Sequence, residues 1–184
     1  MRERLFAVRF AVAAAGLCVA TPLAIASLVR ALDLAELTTG ADRIVVADVL
    51  SVQAAWDGAH RTIHTTVEVS VRESWKGETP AEGRLTIRQP GGTVGEIEMT
   101  VRGMARFAVG ERTLLFLRRS QVVGMSQGKR SLRWEPIERC WLVDPADRSE
   151  VVTIDRNGGL RAAGAGRAEA LDSLRDKVGG LLGR

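Results

Sequence analysis

The sequence predicts a mainly β protein: a small closed or partly open antiparallel β-barrel (OB-like), with a short N-terminal helix and a C-terminal amphipathic helix. Three observations support this fold class. Many short segments alternate apolar and polar residues with a period of two, glycine and proline separate these segments, and helical periodicity occurs only near the two ends. A sandwich is the alternative arrangement of such strands, but a barrel would remove the exposed edges on which flat sheets aggregate.

The first 26 residues have the three-part plan of a secretory signal peptide. The basic start Met1–Arg9 precedes the apolar run Phe10–Ala20, and Ala24 and Ala26 occupy positions −3 and −1 before Ser27. We therefore expect cleavage after Ala26 and an exported protein, periplasmic or extracellular. The apolar run is shorter than the ~20 residues that span a bilayer. Together with the residues that follow it, the apolar run would be long enough for a retained signal anchor, which is the alternative. Such an anchor would be the chain's only link to a membrane.

The charge balance argues against nucleic acid as a partner. The full chain has 26 basic and 22 acidic residues, a net charge of +4. Removal of residues 1–26 would take away three basic residues and one acidic residue, which leaves a net charge of +2. This excess is too small for a nucleic-acid footprint, and the few aromatic residues are not interleaved with basic ones.

Residues 27–42 predict a linker and one short helix. Asp33 is a suitable N-cap for the segment Leu34–Gly40, because its carboxylate can accept hydrogen bonds from the free N–H groups of a first helical turn. Leu34 and Leu37 fall on one side of this helix. Gly40 is a typical helix end.

Residues 43–160 form the predicted β-barrel domain. The predicted strands are Arg43–Trp56, Thr62–Trp75, 84–89, 96–101, 112–119, 121–128, 131–136, 138–144 and 150–155. The clearest is Thr62–Trp75, where Ile63, Thr65, Val67, Val69 and Val71 share one face. The run Leu114–Leu117 is apolar on both faces, as in a strand that is buried on two sides. We expect 138–144 and 150–155 to pair as the last hairpin.

Residues 161–184 contain the predicted C-terminal helix. Its apolar residues Leu171, Leu174, Val178, Leu181 and Leu182 follow helical spacing and define one face. We expect this face to pack on or beside the barrel. The alternative is a helix that binds a partner or a membrane surface, but its polar face carries both charge signs, whereas membrane-surface helices are usually more basic.

The strand and turn pattern resembles that of a known group of proteins. The segments "ADRIVVADVLSV", "VEVSVRESWKG", "LTIRQPGG", "FAVGERTLLFL" and "VVGMSQGK" resemble a family of uncharacterised exported bacterial proteins. More distantly, they are similar to the netrin-like domain shared with tissue inhibitors of metalloproteinases, an OB-type five-stranded barrel. The resemblance covers residues 41–129. In those inhibitors an N-terminal Cys chelates the protease zinc and disulfides hold the barrel. In this chain Ser27, and not a cysteine, would be the first residue after signal cleavage. The resemblance therefore implies the barrel fold but not the inhibition of metalloproteinases.

One glycine-rich segment between two strands is the candidate binding loop. The stretch "IRQPGGTVG" would supply polar contacts, and two tryptophans would offer stacking surfaces, because OB-type barrels bind through loops and one open face. The candidate binding residues are Arg88, Gln89, Gly91, Gly92, Trp56 and Trp75. The structural alternative is that these glycines only mark corners where the strands bend.

No metal, cofactor or catalytic residue is predicted. His60 and His64 lie four residues apart, which on a strand separates them by ~13 Å at ~3.3 Å per residue, too far to chelate one ion. The segment Gly124–Arg130 lacks the spacing of a phosphate-binding loop. After signal cleavage Cys140 is the only cysteine, so no intramolecular disulfide can form.

Cys140 itself has three interpretations. Beside Trp141 it is expected to be a packed small hydrophobe. A catalytic pairing with His64 is one alternative, and a cross-link to a second chain is another.

The sequence therefore predicts an exported non-enzymatic β-barrel module that binds a protein or a cell-envelope component. Two alternatives remain. One is an exported, hydrolase-like enzyme whose site is assembled from scattered carboxylates, for which Glu68, Glu73, Glu96 and Glu98 are candidates. The other is a signal-anchored periplasmic component of a larger assembly. The sequence does not predict the oligomeric state.

Overall fold

The computed structural model describes residues 29–147, 151–154, 160–162 and 166–183. The protein is mainly antiparallel β-sheet, with a short helix α1 (Leu34–Gly40) near the N-terminus and a second helix α2 (Leu171–Leu181) near the C-terminus. The predicted signal peptide, residues 1–26, lies outside the described residues. Within them, no helix is long and apolar enough to cross a membrane.

Thirteen strands are present in the described ranges. They are β1 (Val29–Arg30), β2 (Arg43–Trp56), β3 (Ile63–Lys76), β4 (Arg84–Pro90), β5 (Gly92–Val94), β6 (Ile97–Met99), β7 (Arg112–Arg118), β8 (Gln121–Val122), β9 (Lys129–Glu135), β10 (Cys140–Val143), β11 (Val151–Ile154), β12 (Leu160–Ala162) and β13 (Glu169–Ala170). The predicted long strands at 43–56 and 62–75 match β2 and β3 within one residue at each end.

Eight of these strands form one sheet, in the order β13-β10-β9-β7-β2-β3-β4, with β8 paired to β7. Strand β11 pairs with β1 and β12, and β5 pairs with β6. Along the described chain, the strand ladders of the large sheet do not join its two end strands, β13 and β4.

The predicted last hairpin, 138–144 with 150–155, is wrong. Strand β10 pairs with β9 on one side and with β13 on the other, whereas β11 pairs with β1 and β12. The physical reason is the short connection 136–139, which joins β9 to β10 and brings them together as neighbours. Two tryptophans, Trp134 and Trp141, face each other across this pair.

Helix α1 begins as its sequence predicts. The Asp33 Oδ1 accepts a hydrogen bond from the Glu36 backbone N–H at 2.7 Å, and the Glu36 carboxylate accepts one from the Asp33 N–H at 2.9 Å. This reciprocal capping box satisfies two N–H groups that the first turn leaves free. The side chain of Leu37, which belongs to this helix, is fully buried.

The first half of β2 and most of β7 are buried on both faces of the large sheet. The helix-side core lies on one face and consists of Leu37, Ala41, Ile44, Val46, Trp75, Leu114, Phe116, Leu132, Val143, Leu171, Leu174 and Val178. The cleft-side core lies on the other face and consists of Val45, Ala47, Val49, Val67, Val69, Leu85, Ile87, Leu115 and Leu117. The prediction that Leu114–Leu117 is buried on two sides is confirmed.

Helix α2 packs on the helix-side face. Leu171, Leu174 and Val178 are buried in the helix-side core, as their spacing predicts, while Leu181 is 48% exposed. Arg175 forms an ion pair with Glu73 of β3, which ties the helix to the sheet. The helix occupies Leu171–Leu181, and residues 161–162 and 169–170 of the predicted helical region belong to β12 and β13.

The β2–β3 ladder changes register at three places, between Ile44 and Val45, between Val46 and Ala47, and between Val49 and Ser51. Such bulges bend a strand and change which face its side chains occupy. Along β3, Val67 and Val69 therefore lie in the cleft-side core whereas Trp75 lies in the helix-side core.

Candidate functional site

The glycines of the predicted binding loop have a structural role. Gly91 has φ +96° and Gly92 φ +134°, where residues with a side chain are strained. The Gly91 N–H donates to the Ile63 carbonyl at 2.8 Å, and its own carbonyl accepts from Thr65 Oγ1 at 2.7 Å. A Cβ on Gly92 would lie 2.5 Å from Thr65 Oγ1 and 2.8 Å from the Ala54 Cβ. The chain therefore crosses β3 at a distance that only glycine permits.

Three adjoining clefts surround this crossing. The loop cleft, about 510 Å³, lies between residues 89–93 and residues 98–107, and Ser126 and Asp147 also line it. The Gln89 Nε2 donates to the Ala105 carbonyl at 2.8 Å and thereby fixes one wall to the other. Gln89 and Pro90 also line the two clefts described next, so this pair is the centre of the candidate site.

The basic cleft is about 390 Å³ and is positively charged. It is lined by His64, Arg88, Gln89, Pro90, Arg119, Ser120 and Gln121, and none of these is acidic. The Arg88 backbone N–H donates to the Ser120 carbonyl at 2.8 Å, which joins the end of β4 to the β7–β8 turn. The guanidinium groups of Arg88 and Arg119 make no ion pair or hydrogen bond with the residues that the structure describes.

The methionine cleft is about 320 Å³ and is more apolar. It shares Arg88, Gln89, Pro90 and Gln121 with the basic cleft. Its further walls are the half-buried side chains of Met104, Val122 and Met125, together with Gly124. Val122 also packs against the cleft-side core, so the floor of this cleft is continuous with the hydrophobic interior.

The structure brings four of the six predicted binding residues together. Gln89 lines all three clefts, Arg88 lines the basic and the methionine cleft, and Gly91 and Gly92 line the loop cleft. The two predicted stacking residues lie elsewhere. Trp56 is half-buried at the β2–β3 turn and stacks on His60 with ring centroids 6.0 Å apart, whereas Trp75 is 7% exposed in the helix-side core.

The four candidate carboxylates occupy separate environments. Glu98 lines the loop cleft and accepts a hydrogen bond from Thr100 Oγ1 at 3.1 Å. Glu73 pairs with Arg175, and Glu68 accepts from Ser51 Oγ at 3.4 Å. Glu96 lies exposed between β5 and β6. Of the four, Glu98 alone lines one of the clefts that surround Gln89 and Pro90.

Cys140 and His64 do not come together. Cys140 is on β10 and His64 on β3, with β9, β7 and β2 between them, so four strand spacings of ~4.8 Å separate the two strands. Burial, and then the nearby Glu138 carboxylate, raise the pKa of the Cys140 thiol. A raised pKa decreases the thiolate fraction that a nucleophile needs. Within the described part of the chain, no group of three His, Cys, Asp or Glu side chains is placed to hold a metal ion.

A second surface was not predicted from the sequence. We call it the tryptophan surface and define it by Asp48, Arg72, Arg112, Trp134 and Trp141. Arg112 donates to both Asp48 carboxylate oxygens, at 2.6 and 3.0 Å, and its guanidinium lies 4.5 Å from the Trp141 ring centroid. Trp134 meets Trp141 edge to face at 5.5 Å.

The charges of the tryptophan surface are paired. Arg72 Nε donates to Asp48 Oδ2 at 2.7 Å, so one carboxylate holds two guanidinium groups. The hydrogen bond from Arg112, supported by Arg72, holds the pKa of Asp48 below its ordinary value, and Asp48 in turn raises the pKa of Arg112. The sequence signal for this surface was the pair of tryptophans on either side of the 136–139 turn, which the wrong hairpin prediction separated.

The fold and the clefts define a class: an antiparallel β protein with helices on one face of its sheet and a cationic, partly apolar site at one sheet end. No protein-family model matches the chain, and comparisons with curated proteins and with solved structures give no match.

Proposed function

We propose that this chain is an exported, non-enzymatic β-barrel module that binds a protein or a cell-envelope component through the clefts around Gln89 and Pro90. One observation carries this proposal: three clefts converge on these two residues, and one of them is lined by two guanidinium groups without a described counter-charge, those of Arg88 and Arg119. Concave sites with a few convergent polar groups are the usual form of a binding site.

The proposed barrel is small, partly open and of the OB type. It would consist of β2, β3, β4, β7 and β8. Pairing already links β4 to β3, β3 to β2, β2 to β7 and β7 to β8. The hydrogen bond from Arg88 N–H to the Ser120 carbonyl adds a contact between β4 and the β7–β8 turn. The cleft-side core would then be the barrel interior, and the bulges in β2 and β3 would supply the bending that a barrel needs.

The arginine and glutamine side chains that line the basic cleft favour binding over catalysis. A guanidinium group stays protonated at every physiological pH, so Arg88 and Arg119 can hold an oxyanion but cannot exchange protons with a substrate. Gln89 and Gln121 add amide groups, which also hold ligands without transferring protons. Export is proposed from the N-terminal pattern of residues 1–26, and the resemblance to exported bacterial proteins agrees with it.

Export and binding are tested separately. For export, the chain is expressed with its native N-terminus in a Gram-negative host, and each fraction is measured by intact mass. A soluble extracytoplasmic product that begins at Ser27 supports the proposal. A full-length cytoplasmic product overturns it, and a full-length product in the membrane fraction supports the signal-anchored alternative.

For binding, the purified chain is immobilised and exposed to fractionated envelope extract, in parallel with Gln89→Ala and Arg88→Gln variants. Retention of a defined component by the wild-type chain, with loss in both variants, supports the proposed site. As a matched control, Arg84→Gln removes a similarly exposed arginine of β4 that does not line the clefts. Equal retention by all four proteins contradicts the proposal, as does turnover of a substrate that one of these polar residues controls.

A further inference from the structure

We infer that the basic cleft and the methionine cleft together form one site for an anionic amphiphile, a small single-chain molecule with a carboxylate or phosphate head and an apolar tail. This inference rests on the proposed binding function and specifies the chemistry of the ligand. Its basis is that a cationic half-site and an apolar half-site share a wall made of Arg88, Gln89, Pro90 and Gln121.

The head would lie in the basic cleft. Most arginines with described side-chain partners form ion pairs, including Arg72, Arg112 and Arg175. The side chains of Arg88 and Arg119 have no such partner among the residues that the structure describes. Planar guanidinium groups bind carboxylate and phosphate oxygens in bidentate fashion, and such charge-assisted bonds are about twice as strong as neutral ones. Because none of the described residues in the cleft wall carries a carboxylate, an incoming anion would meet no repulsion from them.

Two acidic residues lie near the basic cleft without lining it. Asp42 accepts a hydrogen bond from the Arg119 backbone N–H at 2.7 Å, and Asp57 accepts from the Arg61 N–H at 2.8 Å. Both carboxylates are therefore engaged in fixing turns of the backbone. Neither carboxylate is therefore an ionic partner of the Arg88 or Arg119 guanidinium, and no other described residue is one.

The tail would lie in the methionine cleft. Met104, Val122 and Met125 present apolar side chains that are half-buried rather than packed away. Methionine side chains are flexible and polarizable, so they adapt to apolar ligands of different lengths. Its volume of about 320 Å³ is at the lower end of the range for small-molecule sites, which fits a single apolar chain.

The backbone holds the two half-sites in a fixed relation. The Arg88–Ser120 hydrogen bond fixes β4 against the β7–β8 turn, in which Arg118 pairs with Gln121 and Leu117 with Val122. The fully buried Gln127 donates to the Gly124 carbonyl at 3.3 Å and to the Arg30 carbonyl at 3.0 Å, which holds the far wall. A site built in this way is preformed, so little ordering opposes binding.

The test is a titration of the full chain with five probes, followed by calorimetry and by amide chemical shifts. Decanoate and decyl phosphate, kept below their micelle concentrations, carry both head and tail. Acetate and inorganic phosphate carry the head alone, and decanol carries the tail alone. We expect saturable binding of both ten-carbon anions, with shifts at residues 88–90 and 119–125, and affinities at least roughly tenfold weaker for the three partial probes.

Variants separate the two halves of the site. Arg88→Gln should weaken decanoate binding by roughly tenfold or more, and Arg88→Lys should restore part of it because the charge returns without the bidentate geometry. Met104→Gln should weaken decanoate and decyl phosphate but leave the weak binding of acetate unchanged. Arg84→Gln, which changes another exposed arginine of the same strand, should bind like the wild-type chain.

Three outcomes would overturn the inference: no saturable binding of either anion, equal binding of decanol, or equal losses in Arg84→Gln and Arg88→Gln. Preference for decanoate or for decyl phosphate would identify the head without changing the conclusion that an amphiphile binds. If the amphiphiles fail while envelope capture still depends on Gln89 and Arg88, only this inference is wrong. If both fail, the proposed binding function is wrong as well.

Discussion

Two regions of the same sheet use arginine in opposite ways. On the tryptophan surface, Arg72 and Arg112 both bind Asp48, and Arg112 also lies over Trp141. In the basic cleft, Arg88 and Arg119 extend from a strand end and a turn without a described partner. An arginine whose donors are already engaged stabilises the fold, whereas one with free donors is available to a ligand. The pairing of a side chain thus distinguishes the two regions better than its residue type does.

The largest expected effect concerns Gly92, where the chain crosses β3 beside the loop cleft. Gly92→Val would place a Cβ 2.5 Å from Thr65 Oγ1 at φ +134°, so we expect the free energy of unfolding to fall by about 2–4 kcal/mol. Urea unfolding measures this loss. Gly58→Ala is the control, since a Cβ there meets no atom within 4 Å and the change should stay within about 0.5 kcal/mol. Similar small losses in both variants would show that the chain does not cross β3 so closely.

The next largest effect is expected at the tryptophan surface, where Asp48 pairs with two arginines. Asp48→Asn removes the charge that holds Arg72 and Arg112, so we expect the free energy of unfolding at pH 7 to fall by about 1.5–3 kcal/mol. Because folding lowers the pKa of Asp48, this stabilisation is present above the unfolded-state pKa of about 4 and is lost as the pH falls through the lower folded-state pKa. Urea unfolding at pH 7, 5 and 3 should give a constant difference between wild type and variant at the first two values and a smaller one at pH 3. A difference that grows toward acid pH would contradict the assignment.

A smaller effect is expected at the aromatic pair. Trp134 is 49% exposed and contributes mainly its edge-to-face contact with Trp141, so Trp134→Ala should cost about 1 kcal/mol. Trp134→Phe keeps an aromatic ring at this position and should lose less. Thermal unfolding of the two variants measures the difference. A loss above about 3 kcal/mol would place Trp134 in the core, against its exposure.

Local patterns in the sequence predicted the elements that local interactions determine. Strand β2 begins and ends at the predicted residues Arg43 and Trp56, because its many β-branched residues suit a pleated, half-buried surface and the pattern is contained within the segment itself. Helix α1 likewise follows from Asp33 and from Gly40, the predicted cap and end, both within eight residues of each other. The glycines at positions 91 and 92 were predicted to be a corner or a binding loop; the structure shows a close crossing of β3 that requires glycine, beside the loop cleft, and their part in binding stays a prediction.

Long-range contacts determine what the sequence did not predict. The basic cleft needs Arg88 and Arg119, which are brought together by one backbone hydrogen bond between β4 and the β7–β8 turn. No periodicity within either segment indicates that contact. Trp75 offers a second example, since simple alternation puts it on the face of Val67 and Val69, and the bulges in the β2–β3 ladder move it to the other face.

The smallest expected change in stability gives the sharpest test of the comparison. Arg88→Gln should alter the free energy of unfolding by less than about 0.5 kcal/mol, because no described contact of the Arg88 guanidinium is lost. Arg112→Gln should cost about 1–3 kcal/mol, since it breaks a bidentate ion pair and a cation–π contact.

Decanoate binding should show the reverse order: Arg88→Gln weakens it and Arg112→Gln leaves it unchanged at a temperature where both variants are folded. Urea unfolding and calorimetry on the same two preparations provide both measurements. If Arg88→Gln is the more destabilising variant, its guanidinium has a structural partner and the basic cleft loses its distinguishing feature. If Arg112→Gln also weakens decanoate binding, the two regions are coupled, and pairing alone does not separate an arginine that stabilises from one that binds.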